Sequence, residues 1–168
     1  MASWINISHK STEAATMSVP ANSNDLCFMC ARELATLIHS RKLSAREVMA
    51  AYLGQISRVN PKVNAIVAKL DDDKCLALAG EADRRIARRE RVGPLHGIPI
   101  AFKDLEPAAG FPWTRGSPIY KDYMSTEDSV LVERLRKAGA VPIGKTNVPE
   151  LGMGSHTYNK VYGTTVNP

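Results

Sequence analysis

Cysteine is scarce, and the three present are an odd number. That argues for a reducing compartment rather than a disulfide framework. Long apolar runs are missing too, and none approaches the roughly 20 residues of a membrane-spanning helix. The N-terminus lacks the apolar core of a secretory signal. A cytoplasmic protein is the expectation from these absences. No G-x-S-x-G nucleophile motif occurs, since Met153 and Thr157 stand where its glycines belong around Ser155. Gly154-Ser155-His156 does set a serine beside a histidine, but sequence neighbours rarely face each other in a strand or loop. There is no second C-x-x-C, no internal repeat and no clear inter-domain linker.

What is present suits one soluble globular domain: 168 residues, 44% hydrophobic and 23% charged. The formal charge of +5 would help approach to an anionic partner without requiring one.

Residues 1–24 are rich in Ser, Thr, Asn and Ala without an apolar period, and read as a polar tail in which Met17 is a second candidate start. Order is expected from about Asp25. Leu34, Leu37 and Ile38 fall at helical spacing, and that helix fails around Ser40 to Lys42. Ser44-Ala45-Arg46-Glu47 fits a capping box. Val48, Tyr52, Ile56 and Val59 then form one stripe, with Asn60-Pro61 as the expected stop. Val63 to Leu70 reads as a strand. A third helix is predicted from Asp71, acidic at its start and carrying Arg84, Arg85, Arg88, Arg89 and Arg91 toward its end.

The next stretch, Gly93-Pro94-Leu95-His96-Gly97-Ile98-Pro99-Ile100-Ala101-Phe102-Lys103-Asp104, organises the rest. Loop residues lead into an apolar strand, Ile98 to Phe102, which ends in a charged pair. The C-terminal edge of an open α/β sheet is where chemistry usually sits. A lysine there is expected to be partly desolvated, which suits it to act as a base. The other reading is a lysine that caps the strand and pairs with Asp104.

Pro107, Gly110, Pro112, Gly116 and Pro118 then forbid a long helix. Thr126-Glu127-Asp128-Ser129 opens a further helix with Val130, Leu131, Leu135 and Ala138 on its apolar side and Gly139 at its C-terminal cap. Ala140 to Ile143 is a short strand. Strand, crossover helix and strand imply parallel pairing of Ile98–Phe102 with Ala140–Ile143. The last twenty residues read as loop, with a brief helix after Pro149.

Other motifs fit duller roles. Gly139 to Thr146 satisfies the P-loop pattern, but a helix ends at its first glycine and the intervening residues are apolar like a strand. Cys27-Phe28-Met29-Cys30 lacks the second pair a structural zinc site needs and reads as partly buried packing. The arginines from Arg84 to Arg91 have no interleaved aromatics and share their helix with acids, so they read as a solvated face. His9, His39 and His96 have no ligand spacing to one another.

Taken together, the segments from Gly93 onward resemble the amidase signature family. The matching stretches are Gly93–Asp104, Asp128–Leu135, Ala138–Leu151 and Tyr162–Pro168. With the N-terminal helices, the likeness covers residues 25–168 as one α/β domain. It implies N-terminal helices followed by the first strands of a mixed sheet with flanking helices, the sheet incomplete in this chain. It also implies amide hydrolysis or acyl transfer by a Ser–cis-Ser–Lys triad, with Lys103 as the lysine, and no cofactor or metal. Gly152, Met153 and Ser155 resemble the family segment that lines the substrate's acyl pocket. The substrate would be a small-molecule amide, with no membrane partner and no direct nucleic-acid contact outside the glutamyl-tRNA(Gln) amidotransferase branch, which the chain also resembles. Room remains for a homodimer of the full-length form. In the family both serines follow the equivalent of Asn167-Pro168, so these 168 residues alone are expected to be inactive. A non-catalytic fragment and a nucleotide-binding module through residues 139–146 are the rival readings.

Overall fold

The computed structural model describes residues 23–167. Met17, His9 and nearly all of the predicted tail lie outside the described residues. Helix α1 (Ser23–Leu26) turns Leu26 into the core. Helix α2 (Ala31–His39) buries Leu34, Leu37 and Ile38 on the predicted stripe and ends at Ser40.

Helix α3 (Ala45–Val63) begins at the predicted box. Ser44 Oγ accepts from Glu47 N at 3.0 Å, and Glu47 Oε2 accepts from Ser44 N at 2.9 Å. Asp83 of the next helix accepts from Ala45 N at 2.7 Å and Arg46 N at 3.1 Å. A tertiary contact therefore satisfies two more of the amides that a helix start leaves open. The predicted stop at Asn60-Pro61 is wrong. Proline removes only its own N–H, and Asn64 N still reaches Asn60 O at 2.7 Å, so the helix runs through Pro61. It ends where Asn64 turns left-handed, at φ 54°.

Strand β1 (Ile66–Lys69) follows, then helix α4 (Asp72–Ala87). Arg88, Arg89 and Arg91 lie past its end rather than on it. The cluster is a solvated face, with Glu81 and Glu90 each bridging two arginines at 2.7–2.9 Å. Strand β2 (Pro99–Lys103), helix α5 (Val130–Lys137) and strand β3 (Val141–Thr146) form the predicted unit. Ser129 Oγ caps α5 by accepting from Val132 N at 3.2 Å, and Gly139 closes it at φ 91°. β3 is longer than predicted and takes in Lys145 and Thr146.

β2 runs parallel to β3, from Pro99 opposite Val141 to Lys103 opposite Thr146. β1 pairs antiparallel on the other side of β3, so the order is β1-β3-β2 and the sheet is mixed. A Cβ at Gly144 would sit 2.5 Å from Ala68 O, so only glycine lets β1 come this close. The main core lies between α2, α3, α4 and the sheet, where Ile98, Val141 and Ile143 are buried. A smaller cluster beneath α5 joins Phe102, Ala108, Phe111 and Val132, with the two rings edge to face at 6.3 Å.

A single turn of 3-10 helix, Glu150–Gly152, follows Pro149 as predicted. Strands β4 (Tyr158–Asn159) and β5 (Gly163–Thr164) form an unpredicted two-residue pairing. Among the described residues, no helix is long and apolar enough to cross a membrane.

Candidate functional site

The site is the C-terminal end of β2 and β3. Strand alternation sends Phe102 and Asp104 inward and Lys103 outward. Asp104 is fully buried and Lys103 is exposed. The desolvation expected of Lys103 is therefore found elsewhere, on Lys145, whose side chain is wholly excluded from solvent. The expected Lys103–Asp104 pair does not form. Asp104 Oδ1 faces Lys145 Nζ at 3.8 Å instead.

Asp104 is held on several sides. Its Oδ2 accepts from Thr114 Oγ1 at 2.5 Å, and its Oδ1 from Thr114 N at 3.3 Å. Its own N–H donates to Thr146 O at 3.1 Å. Thr114 Oγ1 in turn accepts from Gly116 N at 3.0 Å. Lys145 Nζ donates to the carbonyl of Glu106. Burial pushes the Asp104 carboxyl up, against the hydrogen bonds from Thr114 and the charge of Lys145. Burial pushes the Lys145 amine down, against the charge of Asp104. The Tyr162 phenol is raised as well, first by burial and then by the Asp104 charge nearby.

This buried group pins the loop that follows Lys103. Trp113 Nε1 donates to Leu105 O at 3.0 Å, folding the loop back on itself. The Arg115 guanidinium lies over the Trp113 ring at 3.9 Å and the Tyr120 ring at 4.6 Å.

The predicted acyl-pocket loop is brought alongside. Leu151 N donates to Arg115 O at 2.7 Å, and Ser117 Oγ to Glu150 Oε1 at 2.8 Å. Gly152, at φ 77°, packs so tightly on Leu105 that a Cβ would fall 2.7 Å from its Cδ1. Leu151, Met153 and Tyr158 then line a cavity of about 320 Å³ with Glu150 and Lys160 among its polar walls. Met153 lines it, whereas Gly152 and Ser155 do not. Ser155 Oγ instead meets His156 Nδ1 at 3.0 Å, contrary to the expectation that these neighbours would point apart. Both are exposed, and among the described residues no carboxylate is hydrogen-bonded to that histidine.

The P-loop match is the end of α5 followed by β3, with its lysine buried against Asp104, so its geometry is not a phosphate cradle. Cys27 is half-buried, with Sγ 3.5 Å from Ala51 O, whereas Cys30 is exposed at the start of α2, not packed as predicted. His96 is buried, its Nε2 2.9 Å from Ala82 O, and His39 is exposed.

Sequence reasoning misses the Asp104–Thr114–Lys145 group and a second network beside it. Asn147 Nδ2 donates to Gly163 O at 3.2 Å and to Thr165 Oγ1 at 3.0 Å. Asn64 Nδ2 donates to Tyr162 O at 2.7 Å and to Thr164 O at 3.1 Å. The signs in the sequence are slight: a lysine closing an apolar strand, and asparagines recurring in Gly-rich loop.

The Amidase family model matches residues 47–168. A glutamyl-tRNA(Gln) amidotransferase subunit of Acidothermus cellulolyticus is 43% identical over 145 residues, 86% of this chain and 28% of that protein. An acylamidase of Rhodococcus erythropolis is 40% identical over 144 residues, 86% of this chain and 30% of its own length. A bacterial aryl acylamidase of the amidase signature family superposes with a TM-score of 0.77 at 31% identity, over 83% of this chain and 29% of that one. The chain thus spans less than a third of the relatives it matches. A matched span this long, on a fold shared with a solved member, places the chain in the amidase signature family.

Proposed function

We propose that this chain is the lysine-bearing portion of an amide C–N hydrolase that works by a Ser–cis-Ser–Lys triad, with Lys103 as the base. One observation carries the reading. Lys103 stands exposed at the end of β2, and the adjacent Asp104 carboxylate is engaged by Lys145 and Thr114 rather than by Lys103. Its amine is thereby left to face a reacting partner. In the proposed step, the Lys103 amine takes a proton, through the bridging serine, from the nucleophilic serine. That serine's oxygen bonds to the amide carbon, the C–N bond breaks, and the amine leaves with a proton. Water then releases the acid. The substrate is a small aliphatic or aryl amide whose acyl group enters the cavity lined by Leu151, Met153 and Tyr158.

Family membership supports amide hydrolysis in general. The 43% identity to an amidotransferase component supports a second reading, glutamine hydrolysis inside a complex. The test uses a full-length protein carrying both serines, assayed on p-nitroacetanilide and on glutamine with and without partner subunits. Turnover of the anilide without partners, abolished by Lys103→Ala, supports the amidase. Glutaminase activity only with partners supports the amidotransferase. Turnover that survives Lys103→Ala overturns the triad. The isolated 168-residue chain is expected to be inactive on both substrates.

A further inference from the structure

We infer that Asn147 is a positioning residue: it hangs the segment 157–166 on the end of β3 and so sets that segment's backbone path at the end of the sheet where Lys103 stands. The inference rests on the triad reading, in which that path must bring the serines within reach of Lys103. Thr146 is the ladder partner of Lys103, and Asn147 is the next residue. Asn147 is buried, and all of its side-chain capacity is used. Its two amide hydrogens go to Gly163 O and Thr165 Oγ1. Its oxygen accepts from Asn159 Nδ2 at 2.7 Å and from Val148 N at 3.0 Å.

Asn159 carries the tie onward, accepting from Val161 N at 2.9 Å and Tyr162 N at 2.7 Å. Thr165 Oγ1 donates to Asn64 O at 2.6 Å, fastening the same segment to the end of α3. The segment's own ladder is the two-residue β4–β5 pairing, joined by Thr165 N to Thr157 O at 2.9 Å and Val166 N to Val63 O at 3.0 Å, and side-chain amides tie it to β3. A satisfied network of this kind specifies one path, and loss of one member leaves buried groups without partners.

The test again uses the full-length protein, with rates counted per active site titrated by a serine-reactive phosphonate. In Asn147→Ala, kcat is expected to fall about 100-fold with KM nearly unchanged, the effect of misplacing reacting groups by about 1 Å. Thr165→Val removes the hydroxyl's two links, to Asn147 and to Asn64, and is expected to lose about tenfold, and it serves if the alanine variant does not fold. In the 168-residue chain, hydrogen exchange at Thr165 and Val166 is expected to speed up in Asn147→Ala while Phe102 and Asp104 stay protected. Wild-type kcat per titrated site in the variant that folds overturns the inference, as does exchange that rises equally across β2. Lys103→Ala separates the two failures. If that variant keeps its turnover, the triad reading itself has failed. If it is dead while Asn147→Ala and Thr165→Val are normal, only the positioning role falls.

Discussion

Lys145→Met and Asp104→Asn should both be costly, and their costs should run in opposite directions with pH. The two groups are fully buried 3.8 Å apart, a separation worth about 4 kcal/mol of attraction at the effective dielectric that suits protein sites. Desolvation offsets much of that, so the intact pair adds little net stability, but removing one partner strands the other at a cost of about 3–5 kcal/mol. Without Lys145, nothing cationic opposes the burial that already pushes Asp104 up. A carboxyl whose folded value lies above its unfolded one favours folding when protonated and loses that advantage as pH rises. Lys145→Met should therefore be least destabilised near pH 4 and most destabilised at pH 7. Without the Asp104 charge, burial lowers Lys145 further. An amine depressed in the folded state loses stability as pH falls, so Asp104→Asn should recover between pH 7 and 9. The double variant should cost at least about 2 kcal/mol less than the sum of the singles. Urea unfolding of the 168-residue chain at pH 4.5, 7 and 9 measures all of this. Losses below about 1 kcal/mol that simply add would refute the buried pair.

Two further outcomes follow from the scaffold. Asp83→Ala should cost about 2 kcal/mol and exceed Ser44→Ala, at about 1 kcal/mol, because Asp83 closes two amides of α3 and Ser44 closes one; urea midpoints decide the order. Gly144→Ala should cost about 2–3 kcal/mol by forcing a Cβ toward Ala68 O, and hydrogen exchange should show amide protection at Leu70, which donates to Ile143 O at 2.8 Å, lost before any at β2.

What is legible in the sequence is local. The Ser44-x-x-Glu47 box and the Ser129 cap lie within four residues of the helices they start, and the β2–α5–β3 unit announces itself by apolar runs between glycines. Pro61 misleads because the rule against interior proline counts one lost N–H as a stop, although the neighbouring helix bond survives. Lys103 stands at the expected end of the expected strand, but alternation turns it to solvent. The buried lysine is Lys145, whose partner Asp104 lies just past the end of the other strand, across the whole α5 crossover. The asparagine network joins residues separated by as many as 101 positions, and no window of sequence displays such a pairing.

The sheet order also predicts a sequence of events in folding. Pro99 and Val141 need a loop of about 40 residues to meet, whereas Lys69 and Gly144 need about 75, a difference of only about 0.5 kcal/mol in closure entropy. Ser129 and Gly139 mark both ends of the helix between β2 and β3, so that pair is expected to close as a compact unit before β1 arrives. The ties from Asn64 to Tyr162 and Thr164 span 98 and 100 residues and bring in no ladder of their own. They need β1 and β3 already in place, so the segment 157–166 is expected to be the last to set and the first to open, which hydrogen exchange at Thr165 and Val166 would show.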